Sequence, residues 1–291
     1  MTNAPKKEYS MEELEVKYNE VTSLYDYAEE LVATVESQFV QDPNGQLDIV
    51  EPLINEIGDA TDVLAEEFIR GRELTIAVLG TGAQADRHKL NLEQAIPIER
   101  TALVTYSPVT ERVPPGGTLT LRELCRAAVS ISDNTAANLA LDAIGGARTF
   151  TAFMRSIGDD KTRLDRREPE LNEATPGDAR DTTTPIAAAR SLQTLLLDGV
   201  LSAPARNELT QWMLGDQVAD ALLRAGLPRD WQIADKSGAG GHGSRSIIAV
   251  VWPPKRSAVI VAIYITQTAA SMSASNQAVS RIGSALAKAL Q

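Results

Sequence analysis

Residues 130–139 read Ser130-Ile131-Ser132-Asp133-Asn134-Thr135-Ala136-Ala137-Asn138-Leu139. The run has the composition of a buried helix that opens by presenting a hydroxyl, a carboxylate and an amide. The Ser132 oxygen can face a cleft, backbone N–H groups can hold Asp133, and Asn134 can offer its amide to a carbonyl. Taken alone, Ser-Asp-Asn is also an ordinary helix cap, so the flanking chain has to decide between the two.

Upstream, Thr120 caps a helix over residues 121–130, with Glu123 at the capping-box position. Ser132 and Asp133 are expected to begin the next helix, which runs through Ala143 and stops at Gly145-Gly146. Residues 147–157 form another. Residues 159–181 are rich in charge, Pro and Gly and have no period, so they form a loop of more than 20 residues. Loops that long inside a compact domain are usually functional or disordered, and the many opposite charges favour an ordered, self-packed Ω-type loop. Thr184-Pro185 opens a helix over residues 186–197. Helices are also expected over 202–213 and 218–225. Residues 231–235 are extended, and 246–252 and 257–266 are a strand pair joined at Pro253-Pro254-Lys255-Arg256. Ser273 caps a last helix from Ala274 to Leu290. Helices first, then an antiparallel sheet and a final helix, make an α+β fold rather than a βαβ one.

Residues 1–72 differ from the rest in charge. They carry 17 acidic and five basic side chains, which leaves 22 acidic and 23 basic in the remainder of this 291-residue chain of net charge -11. The step places a boundary near residue 72, with domains at 1–72 and 73–291. The overall acidity argues against a nucleic-acid partner. Two apolar stripes at helical spacing, split by the turn Asp42-Pro43-Asn44-Gly45, make the first part an acidic helical hairpin. Two helices bury little alone, so the 10–70 hairpin should pack on the chain, on a copy of itself or on a protein partner. Leu74-Thr75-Ile76-Ala77-Val78-Leu79 is strand-like. The Gly80-Thr81-Gly82 that follows lacks the third glycine and the apolar helix of a nucleotide loop.

One cysteine, Cys125, allows no intrachain disulfide, and its helical, mostly apolar setting suits a buried thiol. Neither His88 nor His242 has a neighbour at metal-ligand spacing, so no metal or cofactor is expected. No window approaches a membrane span, and residues 1–9 do not read as a signal peptide, so the chain as written is expected to be cytoplasmic and to have no membrane partner.

Two further polar runs carry chemistry. Lys236-Ser237-Gly238 puts a lysine beside a hydroxyl and a glycine, an arrangement that can bind a carboxylate while substrate backbone comes close. The Ala239 N–H could donate to an oxyanion. Glu168, ahead of Pro169, could act as a general base on a water that Asn172 orients.

With these motifs together, residues 90–290 resemble a class A serine β-lactamase. The resemblance is carried by Tyr106-Ser107-Pro108-Val109-Thr110-Glu111, Leu121-Arg122-Glu123-Leu124-Cys125, the 130–139 run, and Glu168-Pro169-Glu170-Leu171-Asn172-Glu173. It continues through Asp181-Thr182-Thr183-Thr184-Pro185, Asp235-Lys236-Ser237-Gly238-Ala239-Gly240 and Gly243-Ser244-Arg245. It implies a β-lactam or cell-wall-peptide-like ligand, and a periplasmic or secreted site for the family's members. Ser132 resembles the hydroxyl that relays a proton to the β-lactam nitrogen, and Asn134 the residue that binds the substrate amide. Glu168 and Asn172 resemble the pair that holds the deacylating water. Lys236, Ser237 and Arg245 resemble the carboxylate site, Ala239 an oxyanion-hole N–H, and Tyr106 the aromatic wall.

One family element is missing from the sequence. The nucleophile motif Ser-x-x-Lys occurs nowhere in the chain, and its expected region holds Ile69-Arg70-Gly71-Arg72-Glu73-Leu74. The family's amino-terminal helix and first two strands are also replaced, by the acidic hairpin. The resemblance therefore implies a β-lactamase-like protein that is weak or inactive alone. Its alternatives are a non-catalytic binding domain and an interaction protein working through the hairpin.

Overall fold

A computed structural model describes residues 90–290. The expected hairpin, the boundary near residue 72, Leu74-Thr75-Ile76-Ala77-Val78-Leu79, Gly80-Thr81-Gly82 and His88 lie outside the described residues.

A small ladder comes first. Strand β1 (Ala95–Pro97) pairs antiparallel with β2 (Thr118–Thr120), Ile96 opposite Leu119. Helix α1 (Leu121–Ile131) follows directly, because Thr120 and Glu123 form the expected capping box: the Glu123 N–H donates to Thr120 Oγ1 at 3.1 Å and the Thr120 N–H to Glu123 Oε2 at 2.7 Å. Next come α2 (Asn134–Ala143) and α3 (Ala147–Ser156), separated by Gly145 and Gly146, both in the left-handed region at φ 94° and 86°. The long loop leads to α4 (Pro185–Leu196), capped by Thr184, and α5 (Ala203–Leu214), capped by Ser202. After the short α6 (Leu223–Gly226) come β3 (Gln232–Ala239), β4 (Arg245–Trp252) and β5 (Val259–Ile265), in that spatial order and antiparallel. Helix α7 (Met272–Leu290) closes the described chain. The architecture is the expected α+β one.

The sheet is covered on both faces, which explains the unbroken apolar run in β4. Ala234, Ile248 and Val250 join α1, α2, α4 and α5 in one core. Their neighbours Ile233, Ile247, Ala249 and Val251 join Leu223, Val279 and Ala287 in a second core under α6 and α7. Successive residues of a strand face opposite ways. Lys236 therefore shares a face with Ala234, the face that meets α1. Helices α6 and α7 cross in backbone contact: a Cβ on Gly226 would lie 1.9 Å from the Ser280 carbonyl oxygen, and one on Gly283 would lie 2.7 Å from that of Leu223.

Four local expectations are corrected. Ser132 does not begin a helix. It ends α1 in a left-handed conformation at φ 60°, and Asp133 caps α2. The cause lies 24 residues upstream, where the Asp133 carboxylate accepts from the Val109 and Thr110 N–H groups, both at 2.9 Å, besides its own Ala136 N–H at 2.8 Å. The helix expected over 218–225 is reduced to Leu223–Gly226, because Asp216 Oδ1 takes the Val218 N–H at 2.6 Å and holds the chain in a turn. The strand expected to stop at Asp235 continues through Ala239, drawn on by its register with β4, which sets Lys236 opposite Ile248. The last helix starts at Met272, and the cap is Ser271, whose Oγ accepts from the Ala274 N–H at 3.2 Å.

The loop over 159–181 is ordered and packed on itself, as its charges suggest. Asp181 anchors it, accepting from the Asp165 and Arg166 N–H groups at 2.7 and 2.8 Å and from Arg166 Nε at 2.5 Å. Arg166 also pairs with Glu173, and Arg167 reaches Asp142 on α2.

Candidate active site

The left-handed turn at Ser132 aims its hydroxyl at β3. Lys236 Nζ donates to Ser132 Oγ and, at 3.1 Å, to the Ser237 carbonyl oxygen. All three side chains are buried: Ser132 is 7%, Lys236 4% and Ser237 4% exposed. A charged ammonium donating to a serine oxygen favours the oxygen as an acceptor and positions its proton for transfer.

One turn of α2 away, Asn138 clamps the long loop. Its Nδ2 donates to the Glu168 carbonyl and its Oδ1 accepts from the Glu168 N–H, both at 2.9 Å. The Glu168 side chain is buried and accepts from Asn172 Nδ2. The Glu168–Pro169 peptide bond is cis. From the other end of the loop, the Asn172 carbonyl accepts from the Gly241 N–H at 2.8 Å, just past the end of β3. A Cβ on Gly240 would stand 2.7 Å from that same carbonyl oxygen, so the approach requires a residue without a side chain. The three polar runs therefore form one closed circuit from Ser132 to Lys236, along β3 to Asn172 and Glu168, and through Asn138 back along α2.

Arg245 lies opposite Ala239 in the β3–β4 ladder. It is nearly buried, with Nη1 donating to the Gly238 carbonyl and Nε to Asn276 Oδ1 on α7, both at 2.8 Å. Asn134 Nδ2 donates to the Thr105 carbonyl at 2.8 Å, and its N–H to the Tyr106 carbonyl at 3.0 Å. Tyr106 itself is left-handed and half exposed at the rim. His242 is exposed, and Cys125 is buried within α1. Among the described residues, no group of His, Cys, Asp and Glu is placed to hold a metal, and no helix is long and apolar enough to cross a membrane.

Sequence reasoning missed Asn138, Asn276, Arg224 and Asp216. Asn138 had a signal, since it stands four residues after Asn134 and so on the same helix face. Arg224 had none. It is bonded through Nε to both Asp235 oxygens at 3.0 Å and through Nη2 to Oδ1 at 2.6 Å, at the residue just before Lys236. Burial pushes the Asp235 carboxyl up to about 6, against the pull of the Arg224 guanidinium.

Comparison with known proteins gives the family. The chain belongs to the β-lactamase enzyme family, whose sequence pattern matches residues 76–290. It is 63% identical over 201 residues to the β-lactamase AER-1 of Aeromonas hydrophila, covering 69% of this chain and 66% of that one. It is 49% identical over 209 residues to the β-lactamase CARB-3 of Pseudomonas aeruginosa, covering 72% of each. Among solved structures, an ancestral class A β-lactamase superposes with a TM-score of 0.73 at 47% identity, over 74% of this chain and 83% of that one. The chromosome-encoded β-lactamase of Vibrio parahaemolyticus gives 0.72 at 43% identity, over 75% and 82%.

Proposed function

We propose that this chain binds β-lactams in the cleft between Ser132, Lys236 and Glu168, and that taken alone it hydrolyses them slowly. The observation that carries the binding half is the buried hydrogen bond from Lys236 to Ser132. In this reading Lys236, Ser237 and Arg245 receive the ligand carboxylate, and Ser132 relays a proton to the ring nitrogen. Ala239 offers its N–H to the carbonyl oxygen, Asn134 and Tyr106 border the ligand's amide side chain, and Glu168 with Asn172 holds the water that would release an acyl group. The slow-turnover half rests on the sequence. A serine acylation needs a poised hydroxyl and a base, and the 291 residues contain no Ser-x-x-Lys. Removing a nucleophile costs many decades of rate.

A chromogenic cephalosporin tests both halves. The expected result is saturable binding with turnover several decades below that of AER-1, and no covalent adduct by intact mass in either the unaltered chain or Glu168→Ala. An adduct that accumulates in Glu168→Ala would establish a working acylation site and overturn the slow-turnover half. Absence of binding would overturn the other half and favour a function carried by residues 10–70.

A further inference from the structure

We infer that Asp198 and Gly199, in the turn between α4 and α5, are a self-modification site: the Gly199 main-chain nitrogen attacks the Asp198 side-chain carboxyl, and the ring that forms opens to isoaspartate. The inference is independent of any ligand and of the reading of the cleft.

The sequence holds one Asp-Gly pair, and it is this one. It stands just past the end of α4, where residues 197–200 are all exposed. Exposed turn tips with small residues are where covalent change concentrates. The Asp198 side chain is held only loosely. Its one hydrogen bond among the described residues is a long one, accepted from Gln193 Nε2 at 3.4 Å, and it makes no ion pair with them. The Asp198 N–H donates to the Gln193 carbonyl at 3.1 Å and fixes the start of the turn, but the next N–H, that of Gly199, donates to no described residue. Gly199 is left-handed at φ 81° and carries no side chain to block the approach. The space beside it is open, since the nearest atom to the place of a Cβ there is Arg206 Nη1 at 3.9 Å. Asp198 also borders an open cleft of about 370 Å³ between α4 and the start of the long loop, which gives water access.

Other aspartates lack this combination. Asp178 precedes an alanine, and its carboxylate is locked onto Arg180 Nε and Nη2. Asp160 precedes Lys161, whose N–H is taken by Asp159 Oδ1 at 3.0 Å. Asp230 precedes Trp231, whose N–H is taken by the Pro228 carbonyl at 3.1 Å.

The step balances without any co-reactant but water. The Gly199 nitrogen bonds to the side-chain carboxyl carbon of neutral Asp198, the bond from that carbon to its hydroxyl breaks, and the hydroxyl leaves as water with the amide proton. Water then opens the succinimide. Attack at the side-chain carbonyl restores aspartate. Attack at the main-chain carbonyl leaves the chain running through Cβ, with a carboxylate on Cα. One water is lost and one regained. The added main-chain carbon lengthens a turn between two buried leucines, Leu196 and Leu201.

The test keeps the full chain folded in warm neutral buffer, samples it over weeks and digests it with trypsin. Cleavage after Arg190 and Arg206 releases Ser191–Arg206, in which Asp198 is the only acidic residue and Asn is absent. The expected result is a second form of this peptide with equal mass and different elution, preceded by a form lighter by one water. A protein isoaspartyl methyltransferase should label the second form alone. Its rate in the folded chain should lie within about threefold of that of a synthetic peptide of residues 191–206, while the peptide holding Asp178 should convert at least about tenfold more slowly. Asp198→Glu should abolish the second form. An unlabelled, single Ser191–Arg206 peptide in the aged folded chain, alongside conversion of the synthetic peptide, would show that the turn protects the pair and would overturn the inference. So would equal rates at Asp178 and Asp198.

Discussion

Two arginine–aspartate pairs of nearly equal length occupy opposite environments in this protein. Arg163 meets Asp165 at 2.5 Å on the long loop, with side chains 45% and 24% exposed. Arg224 meets Asp235 at 2.6 Å at the root of Lys236, with side chains 21% and 0% exposed. The bond to Arg163 holds the Asp165 carboxyl below its ordinary range. Burial drives the Asp235 carboxyl above it, although its arginine is bonded at least as fully. Pair geometry therefore does not set the electrostatic sign; desolvation does. The loop pair is partly solvated, and Asp165 also accepts the Asp181 N–H at 3.1 Å, on a segment held by Asp181 and Asn138. The strand pair is a structural commitment whose halves are costly apart.

Breaking the buried pair should give the largest effect. Arg224→Ala strands Asp235 in the core and should cost about 3–5 kcal/mol in urea denaturation. Replacing both partners, as Arg224→Met with Asp235→Leu, should recover most of that loss. A double variant as unstable as the single one would mean that the three carbonyls held by Arg224 matter more than the charge.

The second effect is one of direction. Asp235 binds its proton more tightly when folded, so its contribution to stability is full below its ordinary pKa of 3.8 and falls as pH rises from there through about 6. Asp165 binds its proton less tightly when folded, so its contribution is full above 3.8 and is lost as pH falls below it. Urea midpoints across this range should lose the alkaline-side decline in Asp235→Asn and part of the acid-side decline in Asp165→Asn. Equal pH profiles for both variants would erase the distinction.

The smallest effect belongs to Arg163→Ala. A pair this exposed should be worth under about 1 kcal/mol, and less as salt is raised. A loss approaching that of Arg224→Ala would show that the loop depends on its surface charges after all.

The parts of this structure that could be read in the sequence are those decided locally. The Thr120–Glu123 box needs only four residues, the apolar run of β4 only eight, and the charged, aperiodic loop announces itself by composition. Lys236, Ser132 and Glu168 were legible because each sits in a short motif. The turn at Ser132 was not, since Asp133 takes partners from Val109 and Thr110 that no local pattern marks. Asp216 was missed for a similar reason, its side chain holding the Val218 N–H in a turn where a helix was expected to start. Arg224 and Asn276 sit in no motif, and only the fold brings them against Asp235 and Arg245.

The crossing of α6 and α7 sets an order in time. Gly226 rests against Ser280, more than 50 residues later in the chain. Ribosomes deliver the amino-terminal residues first, so during synthesis the seat for Gly226 does not exist until the last helix has emerged. Arg245 likewise gains its partner Asn276 only once that helix has been made. While residues 237–271 are being made, the strand that carries Lys236 still lacks α7 on its second face, so that face of the sheet is covered later than the one that meets α1.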